Sequence, residues 1–154
     1  MIQLTKRWAS YYFLFMAYFQ IYGRWYNQRQ RLAFAMAAYW RYLPNRWYLF
    51  FSLGLQLILW FFAYRMFSIT LGDELFVYHY NVDFGIDAIG EPRDVFRIPL
   101  IALSVLLVNW VVAVLAARRE HFHFLSHAFG LTSILAQVLG GLALMSLYLI
   151  NFLA

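Results

Sequence analysis

The sequence predicts an all-α membrane protein with three transmembrane helices, preceded by two interfacial amphipathic helices and carrying an ordered acidic loop between spans one and two. Three long apolar segments, at residues 47–67, 98–117 and 128–152, are the first observation behind this prediction. Each has about 20 residues or more, which as an α-helix covers the ~30 Å hydrocarbon core of a bilayer. The chain is also 64% hydrophobic and only 12% charged, whereas soluble domains carry about 25% charged residues.

The charges between the apolar segments are sorted by sign, and this sorting predicts an orientation. Residues 1–48 hold seven Lys and Arg and no acid, whereas residues 68–96 hold six acids and one Arg. With the N-terminus in the cytoplasm, nine basic residues lie inside and three outside, so the positive-inside rule predicts N-in and C-out. The chain thus divides into an interfacial N-terminal region, residues 1–46, and a transmembrane domain, residues 47–154, with its outer loop at 68–96.

The N-terminal region differs from the spans because its apolar residues recur at helical spacing on one face. Two helices are predicted there, an aromatic one at residues 8–22 and a second at Asn27–Tyr42, ended by Pro44. The first is only about 22 Å long, so it suits the headgroup boundary better than a crossing. Three interpretations of the N-terminal region remain open: a pair of in-plane membrane anchors, a docking surface for a partner, or a short re-entrant hairpin. The predicted lipid-interface residues are Trp8, Tyr11, Phe15, Trp40 and Trp47.

Each span has one strongly polar amide near its middle, namely Gln56, Asn109 and Gln137. Counted from the inner helix ends, all three lie at the same depth, ~12–14 Å above the cytoplasmic boundary. An amide in hydrocarbon needs a partner, so we predict an interhelical polar layer; a polar substrate or ion site is the alternative. The third span also carries small residues that allow close helix approach. These helix-packing residues are Ala136, Gly140 and Gly141.

Two histidines follow the short inner turn at a spacing of four residues. In a helix, His123 and His127 share one face. That arrangement suits a metal ion or a haem iron if a further ligand comes from elsewhere. Simple interfacial polar groups and protonation sensing are the alternatives.

The outer loop offers a second set of candidate metal ligands. His79, Asp83 and Asp87 can reach a divalent cation together, or the carboxylates can cap backbone amides of the loop. Residues 75–80 are predicted as a short strand, and residues 81–90 as turns because their Asn, Asp and Gly residues favour turns.

The loop and its flanking helices also resemble a known module. The loop contains His79-Tyr80-Asn81, Gly85, Asp87 and Gly90, and the next helix opens with Ile98-Pro99-Leu100. In these features residues 48–117 are similar to the first helix–loop–helix of SdpI-type bacterial immunity membrane proteins. The resemblance implies residence in the bacterial inner (plasma) membrane, with toxin immunity or signalling as a role.

Taken together, these features favour a non-catalytic function. The chain has no cysteine, which excludes disulfides and thiol nucleophiles, and it has neither a nucleophile–base pair nor an intramembrane carboxylate. The expected partners are the lipid bilayer and other membrane protein subunits, not nucleic acid, since there is no basic soluble face. We expect an accessory or interaction subunit of a membrane complex, without enzymatic activity and with no cofactor firmly implied. An SdpI-like immunity or signalling protein and a His-ligated pigment, haem or metal-binding subunit are the alternatives.

Overall fold

In the computed structural model, long helices form a bundle that carries a small two-stranded sheet at one end. The structure describes the backbone of residues 2–70, 76–81 and 85–152, and the side chains of residues 20, 22–70, 76–77 and 89–152. The described helices are α1 (Ile2–Arg41), α2 (Leu43–Ile69), α3 (Arg97–Ala116) and α4 (Phe122–Phe152), and the strands are β1 (Phe76–Asn81) and β2 (Gly85–Gly90). A short 3₁₀ helix, Pro92–Phe96, leads directly into α3.

Three of these helices are long and apolar enough to cross a membrane, namely α2, α4, and α3 together with its 3₁₀ turn. They confirm the three predicted spans and shift some of their ends. α4 begins at Phe122, six residues before the predicted start at Ala128, because the polar residues of its first turns are accommodated within the helix. Pro99 lies in the first turn of α3, where the missing proline N–H is not needed.

The N-terminal region is one continuous helix, so the prediction of two separate helices is wrong. α1 has 40 residues and is about 60 Å long. The sequence prediction leaves residues 23–26 outside either helix, but a glycine inside a helix costs only about 1 kcal/mol relative to alanine. Gly23 therefore does not interrupt α1. Pro44 does not end it either, because α1 ends at Arg41 and Pro44 lies in the first turn of α2.

A tight corner joins α1 to α2. Tyr42 has an extended backbone between the two helices, with φ −83° and ψ 108°. The first turn of α2 then satisfies carbonyl groups at the end of α1, which have no partner within their own helix. Asn45 Nδ2 donates to the Tyr39 carbonyl at 3.0 Å, and Arg46 Nε donates to the Trp40 carbonyl at 2.7 Å. These two bonds fix the angle between α1 and α2.

α2 and α4 run parallel, and a constant offset of 81 residues relates their contacts. Asn45 is hydrogen-bonded to Ser126, and Leu59 packs against Gly140. By helix geometry, each α2 residue between these two contacts lies at the same level as the α4 residue 81 positions later. Both helices bury residues at spacings of three and four, as helices in a coiled coil do. The buried positions include Asn45, Ser52, Gln56, Leu59, Ala63 and Met66 in α2, and Ser126, Ser133, Gln137, Leu144 and Leu147 in α4.

The β-hairpin covers the end of the bundle where α2 ends and α3 begins, which we call the hairpin end. β1 and β2 pair antiparallel, from Phe76 opposite Gly90 to Asn81 opposite Gly85. β1 agrees with the predicted strand, but β2 occupies residues 85–90, which the sequence predicts as turns. Pairing with β1 overrides the turn preference of these residues. Asn151 of α4 holds β1 in place, since its Oδ1 accepts from the Val77 N–H at 2.9 Å and its Nδ2 donates to the Val77 carbonyl at 2.8 Å.

Candidate functional site

At the opposite end, where α1 meets α2 and α3 turns into α4, a histidine lies between two tyrosines. We call this the junction end. The hydroxyl of Tyr42 is 2.9 Å from His127 Nε2, and the hydroxyl of Tyr48 is 2.7 Å from His127 Nδ1. A neutral imidazole donates with one nitrogen and accepts with the other, so one tyrosine donates to the ring and the other accepts from it. Both nitrogens of this predicted ligand are therefore engaged within the protein.

The second predicted ligand, His123, lies on the same side of α4 and packs against the same tyrosine. Its ring centroid is 4.5 Å from that of Tyr42, in an edge-to-face arrangement. Among the side chains that the structure describes, no three of His, Cys, Asp or Glu are grouped so that they could hold a metal ion. A metal or haem iron at His127 would have to displace one of its tyrosine partners. Both histidines contact Tyr42 at the corner between α1 and α2, and His127 also contacts Tyr48 of α2.

The close approach of Tyr48 to His127 depends on a glycine. The Tyr48 ring lies over Gly130, one helical turn from His127, and a Cβ atom at position 130 would overlap this ring. No larger residue at 130 leaves the tyrosine in its place. Gly130 was not among the predicted helix-packing residues, although its spacing of three from His127 places both on one face.

The buried polar contacts continue from the junction end into the bundle. Asn45, which bonds to α1, also accepts a hydrogen bond from the hydroxyl of Ser126, and both side chains are buried. Ser126 directly precedes His127 in the sequence, but its hydroxyl donates to the amide oxygen of Asn45. Burial raises the pKa of the neighbouring Tyr39 hydroxyl to about 12, so this phenol stays neutral where α1 docks.

We call the buried polar residues that α2 and α4 share the polar seam; they are Asn45, Ser52, Gln56, Ser126, Ser133 and Gln137.

A cavity of about 20 Å³ lies beside the polar seam, between α2, α3 and α4. Ser52 Oγ and Trp110 Nε1 belong to residues that line it, and neither atom has a hydrogen-bond partner among the described residues. Across the cavity, Asn109 Nδ2 donates to Ser133 Oγ at 3.1 Å, and this hydroxyl donates to the Phe129 carbonyl at 2.8 Å. The volume suits about one water molecule. Water fits both the size and the polar lining of this site.

The two glutamines of the polar seam bind the same neighbouring helix. Gln56 Nε2 donates to the Pro99 carbonyl at 2.8 Å, and Gln137 Nε2 donates to the Ala102 carbonyl at 3.2 Å. Both Oε1 atoms are buried, and neither has a hydrogen-bond partner in the part of the chain that the structure describes. The two accepting carbonyls lie three residues apart along α3, so side-chain amides hold the backbone of α3 to both α2 and α4.

The three predicted amides form interhelical hydrogen bonds, but they do not form a single layer. Asn109 bonds at the level of Ser133, which is four residues, or about 6 Å, from Gln137 along α4. Counting from predicted helix ends fails here because the true ends of the helices lie elsewhere. A matched Ser-x-x-x-Gln in α2 and α4, at Ser52–Gln56 and Ser133–Gln137, is a sequence signal for this pairing that the prediction overlooks.

The predicted small residues of α4 have different surroundings. A Cβ at Gly140 would lie 3.2 Å from Leu59 Cδ1, which is a tight contact, whereas a Cβ at Gly141 would meet the same side chain at an ordinary 3.7 Å. Ala136 is half-buried. Gly140 therefore marks the closest contact of α4 with α2 at this level, and Gly141 borders open space.

The remaining predicted sites divide between exposed positions and positions outside the described side chains. Trp47 is 68% exposed, and Trp40 is half-buried, with its ring centroid 6.0 Å from that of Tyr39. The predicted interface residues Trp8, Tyr11 and Phe15, and the predicted metal ligands His79, Asp83 and Asp87, lie outside the side chains that the structure describes.

One long surface of α1 is also not covered by any residue that the structure describes. Every residue from Arg24 to Phe34 is exposed, and Ala35 is the first buried one. Trp25 is 55% exposed and Leu32 53%. The guanidinium of Arg29 lies 5.6 Å from the Trp25 ring centroid, within the range of a cation–π contact. We call residues 24–34 the α1 arm.

With three apolar helices of spanning length, two amides bonded to backbone within the bundle and apolar side chains exposed around it, the chain has the features of a multi-pass membrane protein. No model of a known protein family matches the chain, and neither a curated protein nor a solved structure is significantly similar to it.

Proposed function

We propose that this chain is a non-catalytic accessory or interaction subunit of a membrane complex, and that the α1 arm is the surface that binds the partner. The observation that carries the proposal is the continuity of one helix face. Ala35 and Tyr39 are buried in a cluster with Ala113, Val114 and Ala117 at the end of α3. Leu32 and Trp25 precede Tyr39 by seven and fourteen residues, so they lie on the same face of α1.

This face continues beyond the end of the bundle. α3 ends at Ala116, and the face that it covers at Ala35 and Tyr39 continues through Leu32 to Trp25 without cover by the described residues. A helix that presents apolar anchors at regular helical spacing is a common recognition element for a groove on a partner. An exposed apolar surface of this kind marks an interaction site more often than an isolated exposed side chain does.

The residue types of the arm also indicate the chemistry of the partner. Trp and Arg are enriched at protein interfaces, and here Arg29 lies against Trp25. Residues 1–48 carry no acid, so a partner with an apolar groove and acidic residues or free carbonyl groups at its rim would complement the arm. In-plane binding to anionic lipid headgroups is the competing arrangement, and it does not require one particular face of the arm to match a groove.

Two double variants of the full chain distinguish these arrangements. Trp25→Ala with Leu32→Ala removes the anchors of the continuing face. We expect this variant to lose the partner when tagged protein is purified in mild detergent from its native membranes and separated by native electrophoresis. A photo-crosslinking residue at Gln28, between the two anchors, should join the chain to the same partner, and a tag on that partner should recover this chain in return.

The matched control is Tyr26→Ala with Phe34→Ala. These side chains are similarly exposed, at 50% and 63%, but they point away from the line of Trp25 and Leu32, about 100° or more around the helix. The control should keep the complex. If both double variants behave alike, or if the unmodified chain migrates as an isolated monomer, the arm is not a protein-binding surface.

In the monomer case, the second candidate function is an SdpI-like immunity or signalling protein whose outer hairpin recognises a toxic peptide. One observation favours it. Phe76 is buried and Asn151 holds both polar backbone groups of Val77, so the hairpin is attached to the bundle in a fixed position. A recognition element needs such support from rigid neighbours.

We also propose that the chain lies in a bacterial plasma membrane with its N-terminus in the cytoplasm. The α1–α2 corner with Arg41 and Arg46 and the α3–α4 turn with Arg118 and Arg119 belong to the same end of the bundle, and the positive-inside rule assigns such an end to the cytoplasm. This grouping supports the orientation that the charge count predicts.

Labelling of single cysteines tests the orientation, since the chain has no cysteine of its own. Ile89→Cys, at an exposed position of β2, should react with a membrane-impermeant maleimide in intact cells. Arg119→Cys, at an exposed position of the α3–α4 turn, should react only after the membrane is permeabilised. The reverse pattern would assign the opposite orientation.

A further inference from the structure

A groove of about 550 Å³ lies between α2 and α4 near the hairpin end. Its lining residues, among those that the structure describes, all come from these two helices and none from α3. Its walls are apolar and include Phe62, Met66, Leu144 and Met145. Gly141 also lines the groove, and it leaves room there because it has no side chain. The volume is in the range of small-molecule sites.

Arg65 gives the groove its charge. It is the only charged residue among the described residues that line the groove, and it has no ion pair with the described side chains. It lies four residues, or about 6 Å, before the end of α2 at Ile69. From there its side chain can extend to the headgroup level while its methylene groups stay on apolar surface. The groove is therefore apolar along its length and cationic at the level where lipid phosphates lie.

We propose that this groove binds an anionic phospholipid. One acyl chain lies along the apolar walls between α2 and α4, and the phosphate is bound by Arg65, with the hydroxyl of Tyr148 at the same end of the groove as a further donor. A guanidinium binds phosphate through paired hydrogen bonds, and basic pockets between transmembrane helices are known to hold anionic headgroups. The inference is independent of the α1 arm, which lies at the junction end.

A partner helix fits the groove less well than a lipid does. A helix that filled the groove would bring its backbone polar groups and side chains past Arg65, which has no ion pair among the described side chains, unless the helix carried an acid at that level. A phospholipid supplies the apolar chain and the negative charge at the matching depths without further requirements. A second copy of this chain would place another Arg65 or another apolar face there and would leave the charge unpaired.

The first test measures lipid binding by native mass spectrometry of the full chain in detergent. The probes are phosphatidylglycerol and phosphatidylcholine with the same acyl chains. We expect tighter binding of phosphatidylglycerol, and we expect Arg65→Gln to lower its affinity about fivefold, the effect of one cation at a headgroup. Arg65→Lys should retain most of the preference. The matched control is Arg97→Gln, since Arg97 lies at the same end but is 2.7 Å from Asp94.

The second test fills the groove. Gly141→Leu puts a side chain into the open space, and it should weaken binding of both lipids. Gly54→Leu is the control, because a Cβ at Gly54 meets nothing within 4 Å and Gly54 lies outside the groove. Free glycerol phosphate should not compete, since it lacks the acyl chain.

Several results would overturn the proposal. Equal affinity for the two lipids, or equal loss in Arg65→Gln and Arg97→Gln, would remove the role of Arg65. Competition by glycerol phosphate would mean that the site binds phosphate alone and that the groove does not bind an acyl chain. If Gly141→Leu changes the oligomeric state of the chain and leaves the bound lipid unchanged, the groove is a contact with a second copy of the chain.

Discussion

Replacing Phe76 with alanine is expected to release the β-hairpin from the bundle while the transmembrane helices stay folded. Phe76 is 1% exposed and packs in one cluster with Met66, Val95 and Leu147. Truncating a buried Phe to Ala costs about 3–5 kcal/mol, which is more than the remaining bonds of Asn151 to β1 can offset. Because the hairpin is a peripheral element, the loss should appear as local opening and not as global unfolding.

Hydrogen–deuterium exchange of the hairpin measures this opening. In Phe76→Ala the amides of β1 and β2 should exchange about 100-fold faster or more, since each 1.4 kcal/mol corresponds to a factor of ten. Ile89→Ala is the control, because Ile89 is 54% exposed in the same hairpin and its truncation should change little. Equal protection in both variants would mean that the buried ring does not hold the hairpin.

The parts of the fold that follow from local composition were predictable from the sequence. Three charge-poor segments of sufficient length can form only helices if they cross a bilayer, and α2, α3 and α4 appear where those segments lie. The strand β1 was also predictable, because its Phe, Val and Tyr residues favour an extended backbone. The end of α1 at Arg41 also lies within a residue of the predicted end at Tyr42.

The parts that depend on distant residues were not predictable in this way. The strand β2 forms because β1 offers it a partner, which local turn preferences do not reveal. The bonds of His127 to Tyr42 and Tyr48 join residues 85 and 79 positions apart, and no spacing rule connects them. The prediction of His127 as a ligand rested on its spacing from His123 alone. The mid-span amides indicated Gln56 and Gln137 of the polar seam, and the repeated Ser-x-x-x-Gln in α2 and α4 offered a local sign of its serines.

A substitution at Gly130 should have the opposite effect to the same substitution elsewhere in the helices. Glycine to alanine at an open helix position stabilises a protein by up to about 1 kcal/mol. At Gly130 a Cβ would overlap the Tyr48 ring, and overpacking of this kind costs about 1–3 kcal/mol. Gly130→Ala should therefore lower the thermal unfolding midpoint in detergent micelles, followed by circular dichroism. Gly54→Ala, which meets nothing within 4 Å, should leave it unchanged or raise it.

The same change on a Tyr48→Ala background isolates the cause. Tyr48→Ala removes both the ring over Gly130 and the hydroxyl that bonds to His127 Nδ1, so it should be destabilising by itself. Once the ring is gone, Gly130→Ala has no clash to create, and its effect should approach that at Gly54. The resulting coupling between positions 48 and 130 should be about 0.5–3 kcal/mol, the range found for residues in contact. If the two effects simply add, Gly130 does not provide the space for the tyrosine that reaches His127, and the parallel contact of α2 with α4 at the junction end must depend on other residues.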